Sequence, residues 1–271
     1  MSYSTTHDAV PTLPAASLSP QLRSGPSHWL RSYWLMVRWE FMSLRLIFPI
    51  MVLVQIFMGA GLVIGFSLLF EEVPPLQAVY LSTGSTVVSM LVVGLAMAPQ
   101  LVAQHKMAKT YDFMWSLPVP RLAQAMANIT VWIMVTIPGV ILALLVANWR
   151  FDLDLQVSLM VVPAFLLTIL VATSVGLAFA HALPNPMVTA MITQVLIFVI
   201  LLFSPINFPP ERLPEWLQVI HRFLPFQHAA NVIRGSLTEG LAQNVGESFL
   251  VLAAWGVAGW GVTAWVLVRR G

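Results

Sequence analysis

Residues 46–70 read LIFPIMVLVQIFMGAGLVIGFSLLF, a run with no charged side chain. A hydrocarbon layer about 30 Å thick is crossed by a helix of roughly 20 apolar residues. This stretch therefore predicts a membrane span. Five more runs of similar character follow: Ala78 to Val102, Leu122 to Ala147, Val157 to Ala180, Met187 to Phe203 and Phe249 to Val268. The fifth of the six is the shortest and ends at Ser204-Pro205. Composition agrees. The 271 residues are 58% apolar and 9% charged, against about 45–50% and about 25% in a soluble domain. A soluble enzyme, a nucleic-acid binder and a disordered chain are excluded on these grounds. The absence of cysteine removes disulfides, thiolate metal sites and a cysteine nucleophile. The expected fold is all-α and integral to the membrane, with six transmembrane helices over residues 46–271.

Outward from the first span, the N-terminal side divides in two. Residues 1–27 are rich in Ser, Thr and Pro, with no apolar run before a small-residue cleavage site, and predict a disordered cytoplasmic tail. Residues 28–45, HWLRSYWLMVRWEFMSLR, place Arg31, Arg38 and Arg45 seven apart. Trp29, Tyr33, Trp34, Val37 and Phe41 form an apolar band at spacings of three and four. With aromatics and arginines expected on opposing faces, this is an elbow helix lying in the headgroup layer. It serves as an anchor or also touches a cytoplasmic partner.

Charge sets the orientation. With an even number of spans both termini share one side. Nine of the thirteen Lys and Arg lie there: Arg23, Arg31, Arg38, Arg45, Lys106, Lys109, Arg121, Arg269 and Arg270. Of the eleven acidic residues only Asp8, Glu40 and Asp112 do. Both termini are predicted to be cytoplasmic.

Two connections stand out. Residues 103–121, AQHKMAKTYDFMWSLPVPR, predict a short helix in their first half, stopped by Pro118 and Pro120. Gln104, His105, Lys106, Lys109 and Asp112 give it charge and polarity; Phe113 and Trp115 give it a bulky apolar patch that needs a cover. That cover is the membrane surface, the elbow or a partner subunit. Residues 204–246 carry Pro205, Pro209, Pro210 and Pro214 ahead of two short helices, about Glu215 to Leu224 and about Gln227 to Leu237, with Pro225 ending the first. Trp216, Phe223 and Phe226 beside Arg222 and Arg234 predict a re-entrant or interfacial hairpin near the outer leaflet.

No stretch reads G-x-x-x-x-G-K-[ST], H-E-x-x-H or G-x-S-x-G. His221 and His228 suit interfacial hydrogen bonding better than a metal site, and Glu71-Glu72 reads as a solvated turn. The spans hold polar but uncharged residues: Gln55, Gln100, Asn128, Thr130, Ser174 and Gln194. These predict interhelical contacts, with a minority facing a pathway. Met58, Met90, Met97, Met126, Met134 and Met191 suit core packing or an adaptable apolar surface. Trp265 suits an interface belt.

Taken with the elbow and the long first cytoplasmic loop, the hairpin is distinctive. Its stretch SPINFPPERLPEWLQVIHRFLPFQHAANVIRGSL, residues 204–237, resembles the permease subunits of type 2 ABC exporters, through Leu213 to Gln218, Leu224-Pro225 and Arg234. A second likeness covers residues 104–121 and keeps Leu117, Pro118, Val119 and Arg121. It departs from the family at Ala108-Lys109-Thr110 and His105-Lys106. The resemblance implies a non-enzymatic permease in a bacterial or archaeal plasma membrane, binding no cofactor or metal itself. Two ATP-binding subunits would carry ATP and Mg. A second copy or a related permease would complete the pathway. The 103–121 loop would seat in the ATPase, and residues 204–246 would close the outer end. Cargo would be amphipathic: a drug, lipid or glycan, and the aromatic-rich channels common among glycan exporters of this type would here draw on Trp132, Trp255, Trp260 and Trp265. The competing classes are a secondary transporter or channel, which calls for intramembrane charges or half-helix breaks, and a membrane enzyme or assembly factor, which calls for clustered catalytic groups. Neither feature is visible in the sequence.

Overall fold

A computed structural model describes residues 25–69, 73–108, 119–153, 155–183, 185–238, 240–242 and 244–269. These are almost wholly helical and include no strand. The elements in order are α1 (Pro26–Leu44), α2 (Phe48–Leu68), α3 (Pro75–Met107), α4 (Arg121–Phe151), α5 (Val161–Ala182), α6 (Pro186–Phe203), α7 (Glu215–His221), α8 (Pro225–Leu237) and α9 (Val245–Arg269). Five of them, α2 to α5 and α9, are long and apolar enough to cross a bilayer, while the apolar α6 is shorter.

Prolines punctuate the helices. They open α1, α2, α3, α6 and α8 in the first turn, where the missing N–H costs nothing. Pro225 thus begins α8 rather than closing α7, which stops at His221. Asn185 caps α6 with its side chain, accepting from the Met187 N–H at 2.9 Å. Within α3, Pro99 cannot donate to the ladder, and the preceding Val93–Met97 widens into a π-turn.

Small residues let the helices meet. A Cβ on Gly94 would fall 2.4 Å from Ala172 Cβ, and one on Gly176 would fall 2.0 Å from the Gly94 carbonyl oxygen. Hence α3 and α5 touch backbone to backbone. A Cβ on Gly259 would lie 2.7 Å from Ser174 Oγ, which seats α9 on the far side of α5. In α2 the buried stripe is Gln55, Gly59, Val63 and Ser67, spaced by four. It packs on α4 at Pro138-Gly139, where a Cβ on Gly59 would meet the Gly139 carbonyl oxygen at 2.7 Å. The main core joins α3, α5 and α8 around Met90, Leu95, Ile169, Ile206 and Ile233. One connection is extended: Gln156 N–H donates to Leu237 O at 3.0 Å and Ser158 N–H to Ser236 O at 2.9 Å. These bonds tie the α4–α5 link to α8 and delay the start of α5 to Val161.

Helix α1 matches the expected face pattern only in part. Its buried stripe is Ser32, Met36, Val37, Glu40 and Leu44. Trp34 is 65% exposed and Phe41 42% exposed. At 100° per residue both share a sector with the exposed Arg31 and Arg38. Trp34 and Phe41 therefore lie with the arginines, while Val37 is buried and Tyr33 packs beside it with Met36 against Ala127 of α4.

Candidate functional site

The end of the bundle that bears α1 and the tip of α3 is built around α4. Tyr33 and Thr130 share a hydroxyl hydrogen bond at 2.8 Å. Glu40 lies 3% exposed and accepts from the Asn128 side chain. Asn128 Oδ1 accepts in turn from Trp132 Nε1 at 2.8 Å. Burial pushes the Glu40 carboxyl above its ordinary pKa, and the Asn128 bond only partly opposes this. Sequence reasoning missed this chain, because Glu40 reads as one more polar residue on an amphipathic helix. Trp132, placed among candidate channel aromatics, is instead 1% exposed in the core.

Gln104, His105 and Lys106 do not form a separate short helix; they prolong α3 to Met107. Gln104 is exposed and His105 half-buried. Lys106 Nζ donates to the Ala180 carbonyl oxygen near the carboxyl end of α5, a position that favours a cation. His181 Nδ1 donates to Leu177 O at 2.7 Å in the same turn. Lys109, Asp112, Phe113 and Trp115 lie outside the described residues, as do Glu71 and Glu72.

At the opposite end, residues 204–237 fold over α3. Pro214 precedes α7, which leaves Trp216 65% exposed and Phe223 beyond it 73% exposed. Arg222 is exposed as well. His221 turns inward, its Nε2 donating to Phe203 O at 3.0 Å, and burial pushes its pKa down against that bond. His228 bridges Arg222 O at 2.9 Å and Ser248 Oγ at 3.1 Å. Trp255 Nε1 donates to Phe223 O at 2.7 Å. Among the described residues no three His, Asp or Glu gather as metal ligands.

Helix α8 is the amphipathic part, burying Phe226, Ala229, Ala230, Val232, Ile233 and Leu237. It also buries Arg234, which is 2% exposed. Its Nε donates to Thr83 Oγ1 at 3.2 Å, and one terminal nitrogen donates to Ile206 O at 2.8 Å. The guanidinium carbon sits 3.8 Å from the Tyr80 ring centroid. Desolvation lowers the Arg234 pKa to about 10, opposed by Tyr80, so the cation stays charged at neutral pH. Burying an ion costs several kcal/mol. Two charge-assisted bonds at about 1.5–3 kcal/mol each and a desolvated cation–π contact near 2 kcal/mol are of the same order. The three contacts together are of the size needed to offset the burial.

The sequence profile of the ABC-2 type transporter family matches residues 31–238. The chain belongs to the ABC-2 type transporter family. No curated protein matches it. The ABC-2 match begins in the elbow, runs through α2 to α8 and stops at Thr238, so it takes in both ends just described and leaves α9 outside. An ABC-2 membrane domain with several long apolar helices makes the chain a multi-pass membrane protein and a transporter component.

Proposed function

We propose that the chain is the permease subunit of an ATP-driven exporter. Six helices, α2 to α6 and α9, cross the membrane, with both termini and the 103–121 connection in the cytoplasm and residues 204–246 outside. Two ATP-binding subunits hold ATP and Mg, and a second copy or a related permease completes the path for an amphipathic cargo. The observation that carries the reading is the ABC-2 match over 31–238 on a chain whose Lys and Arg gather at one set of loops. Helix α3 is the natural transmitter. It runs 33 residues, about 50 Å, from the hairpin to the connection expected to meet the ATPase. Motion imposed at that connection would move α3 as a rigid element of a two-state switch.

Co-purification tests this. An ATP-binding subunit should copurify with the wild-type chain. Replacing Asp112, Phe113 and Trp115 together with alanine should abolish the complex while the chain still inserts. Transport by the chain alone in vesicles, without a nucleotide-hydrolysing companion, would overturn the proposal.

A further inference from the structure

We infer that Arg234 is a positioning residue: a latch that pins the 204–237 hairpin onto the outer end of α3, so that the seal moves only when α3 moves. The inference rests on the permease reading for its place in a transport cycle, but its geometry stands alone.

Three separate pieces of chain converge on one guanidinium. Helix α3 supplies Thr83 and the Tyr80 ring, the turn after α6 supplies the Ile206 carbonyl, and α8 supplies the arginine. Lysine has neither the flat face for Tyr80 nor a fork to reach two acceptors. Beside this point, α3 and the turn are in direct contact. A Cβ on Gly84 would fall 2.3 Å from Asn207 Oδ1 and 2.6 Å from Ile206 O.

The hairpin around the latch is poorly satisfied. Ser204 Oγ, Asn207 Oδ1, His221 Nδ1 and Gln227 Oε1 are buried and have no hydrogen-bond partner among the described residues. Groups of this kind resist staying dry. Opening would hydrate them together with the arginine. Apolar packing of α8 and the three contacts of Arg234 hold the hairpin shut, while desolvated polar atoms favour release. That balance suits an element that must open and close, and it makes the latch a point at which α3 can control the outcome.

The cysteine-free sequence permits a direct test on the full chain in membranes. Ala230→Cys, in the α8 core at 0% exposure, reports hairpin release, and Ala127→Cys, equally buried beneath the elbow, reports general loosening. With a membrane-permeant maleimide, Ala230→Cys should react roughly tenfold faster in an Arg234→Met background and about threefold faster with Thr83→Val, as expected for loss of local protection. Arg234→Lys should be nearly as reactive as Arg234→Met, and Ala127→Cys should stay protected throughout. Equal labelling of Ala230→Cys with and without Arg234, protection restored by lysine, or a parallel rise at Ala127→Cys would each overturn the latch. Should Arg234→Met fail to accumulate, Thr83→Val and Tyr80→Leu decide the matter by the same criterion. Gly240→Cys, exposed beyond α8, separates the two readings. Labelling by an impermeant maleimide only from the cytoplasmic face would refute the proposed topology and leave the latch comparison intact.

Discussion

Helices α2 and α3 read alike as sequence, built on the neighbouring uncharged apolar runs 46–70 and 78–102, yet they occupy opposite situations. In α3, 72% of the most apolar stretch is buried inside the chain; in α2 the figure is 28%. The difference lies in the small polar residues. Helix α3 carries Ser82, Thr83, Gly84, Ser85 and Thr86 in succession, all buried. Ser82, Thr83, Thr86 and Ser89 return their hydroxyls to carbonyls of their own helix at 2.6–3.0 Å. Such residues satisfy themselves while leaving room for close neighbours. Helix α2 buries only Gly59, Ala60 and Ser67 of its small residues, leaves Gly61 and Gly65 open, and turns Ile50, Leu53, Phe57, Ile64 and Leu68 outward. Within a membrane, apolarity does not distinguish centre from periphery, because lipid is as apolar as a protein core. Side-chain size does.

The comparison breaks most visibly at the crossing of α3 and α5. Gly176→Leu would drive a side chain into the Gly94 carbonyl, which a Cβ alone would approach to 2.0 Å. Backbone cannot yield as a flexible side chain can. The expected cost exceeds about 3 kcal/mol, beyond ordinary overpacking, and would be read as loss of the monodisperse peak in fluorescence-detected size exclusion. Gly59→Leu strikes a tight point of α2, against the Gly139 carbonyl. There α2 has an otherwise open outer side along which to shift. A loss of about 1–3 kcal/mol is expected, seen as a lowered thermal midpoint with the chain still folded.

These two sites also mark what was legible beforehand. The all-helical fold, its five long apolar helices and the prolines that open several helices followed from run length and composition, since those features act locally. The i, i+4 stripe Gln55, Gly59, Val63, Ser67 was present in the sequence but unused. Its meaning depends on Pro138-Gly139 lying opposite, some eighty residues away. Arg234 was singled out as part of the hairpin, but its burial was not foreseen, because Tyr80 and Thr83 come from a different run. The band expected opposite the arginines of α1 divides: Tyr33 and Val37 pack with Met36 against α4, whereas Trp34 and Phe41 stay outside with the arginines, because which part of a helix face is covered depends on a neighbour far away in sequence.

Glu40 offers a smaller effect on a third peripheral helix. Its carboxyl sits above its ordinary pKa in the folded elbow. Between the ordinary and raised values the folded state holds a proton that the unfolded state has released. Stability therefore falls as pH rises through that window and is greatest on the acid side. Elbow docking, followed by protease cleavage near Arg45, should loosen between acid and neutral pH. Glu40→Gln, which keeps the Asn128 contact without a charge, should remove that dependence.

The smallest expected effect is the sharpest for α2. A Cβ at Gly65 meets nothing within 4 Å, so Gly65→Leu should leave the thermal midpoint of the isolated chain within the equivalent of about 0.5 kcal/mol. A larger side chain there can still matter in an assembly. If Gly65→Leu spares the chain but prevents a second permease from copurifying, the outward face of α2 is an interface between permeases. If it spares both, that face belongs to lipid, and the contrast with α3 is one of burial alone. A midpoint that falls as far as for Gly59→Leu would mean that α2 is held on two sides, and the distinction between central and peripheral helices would fail.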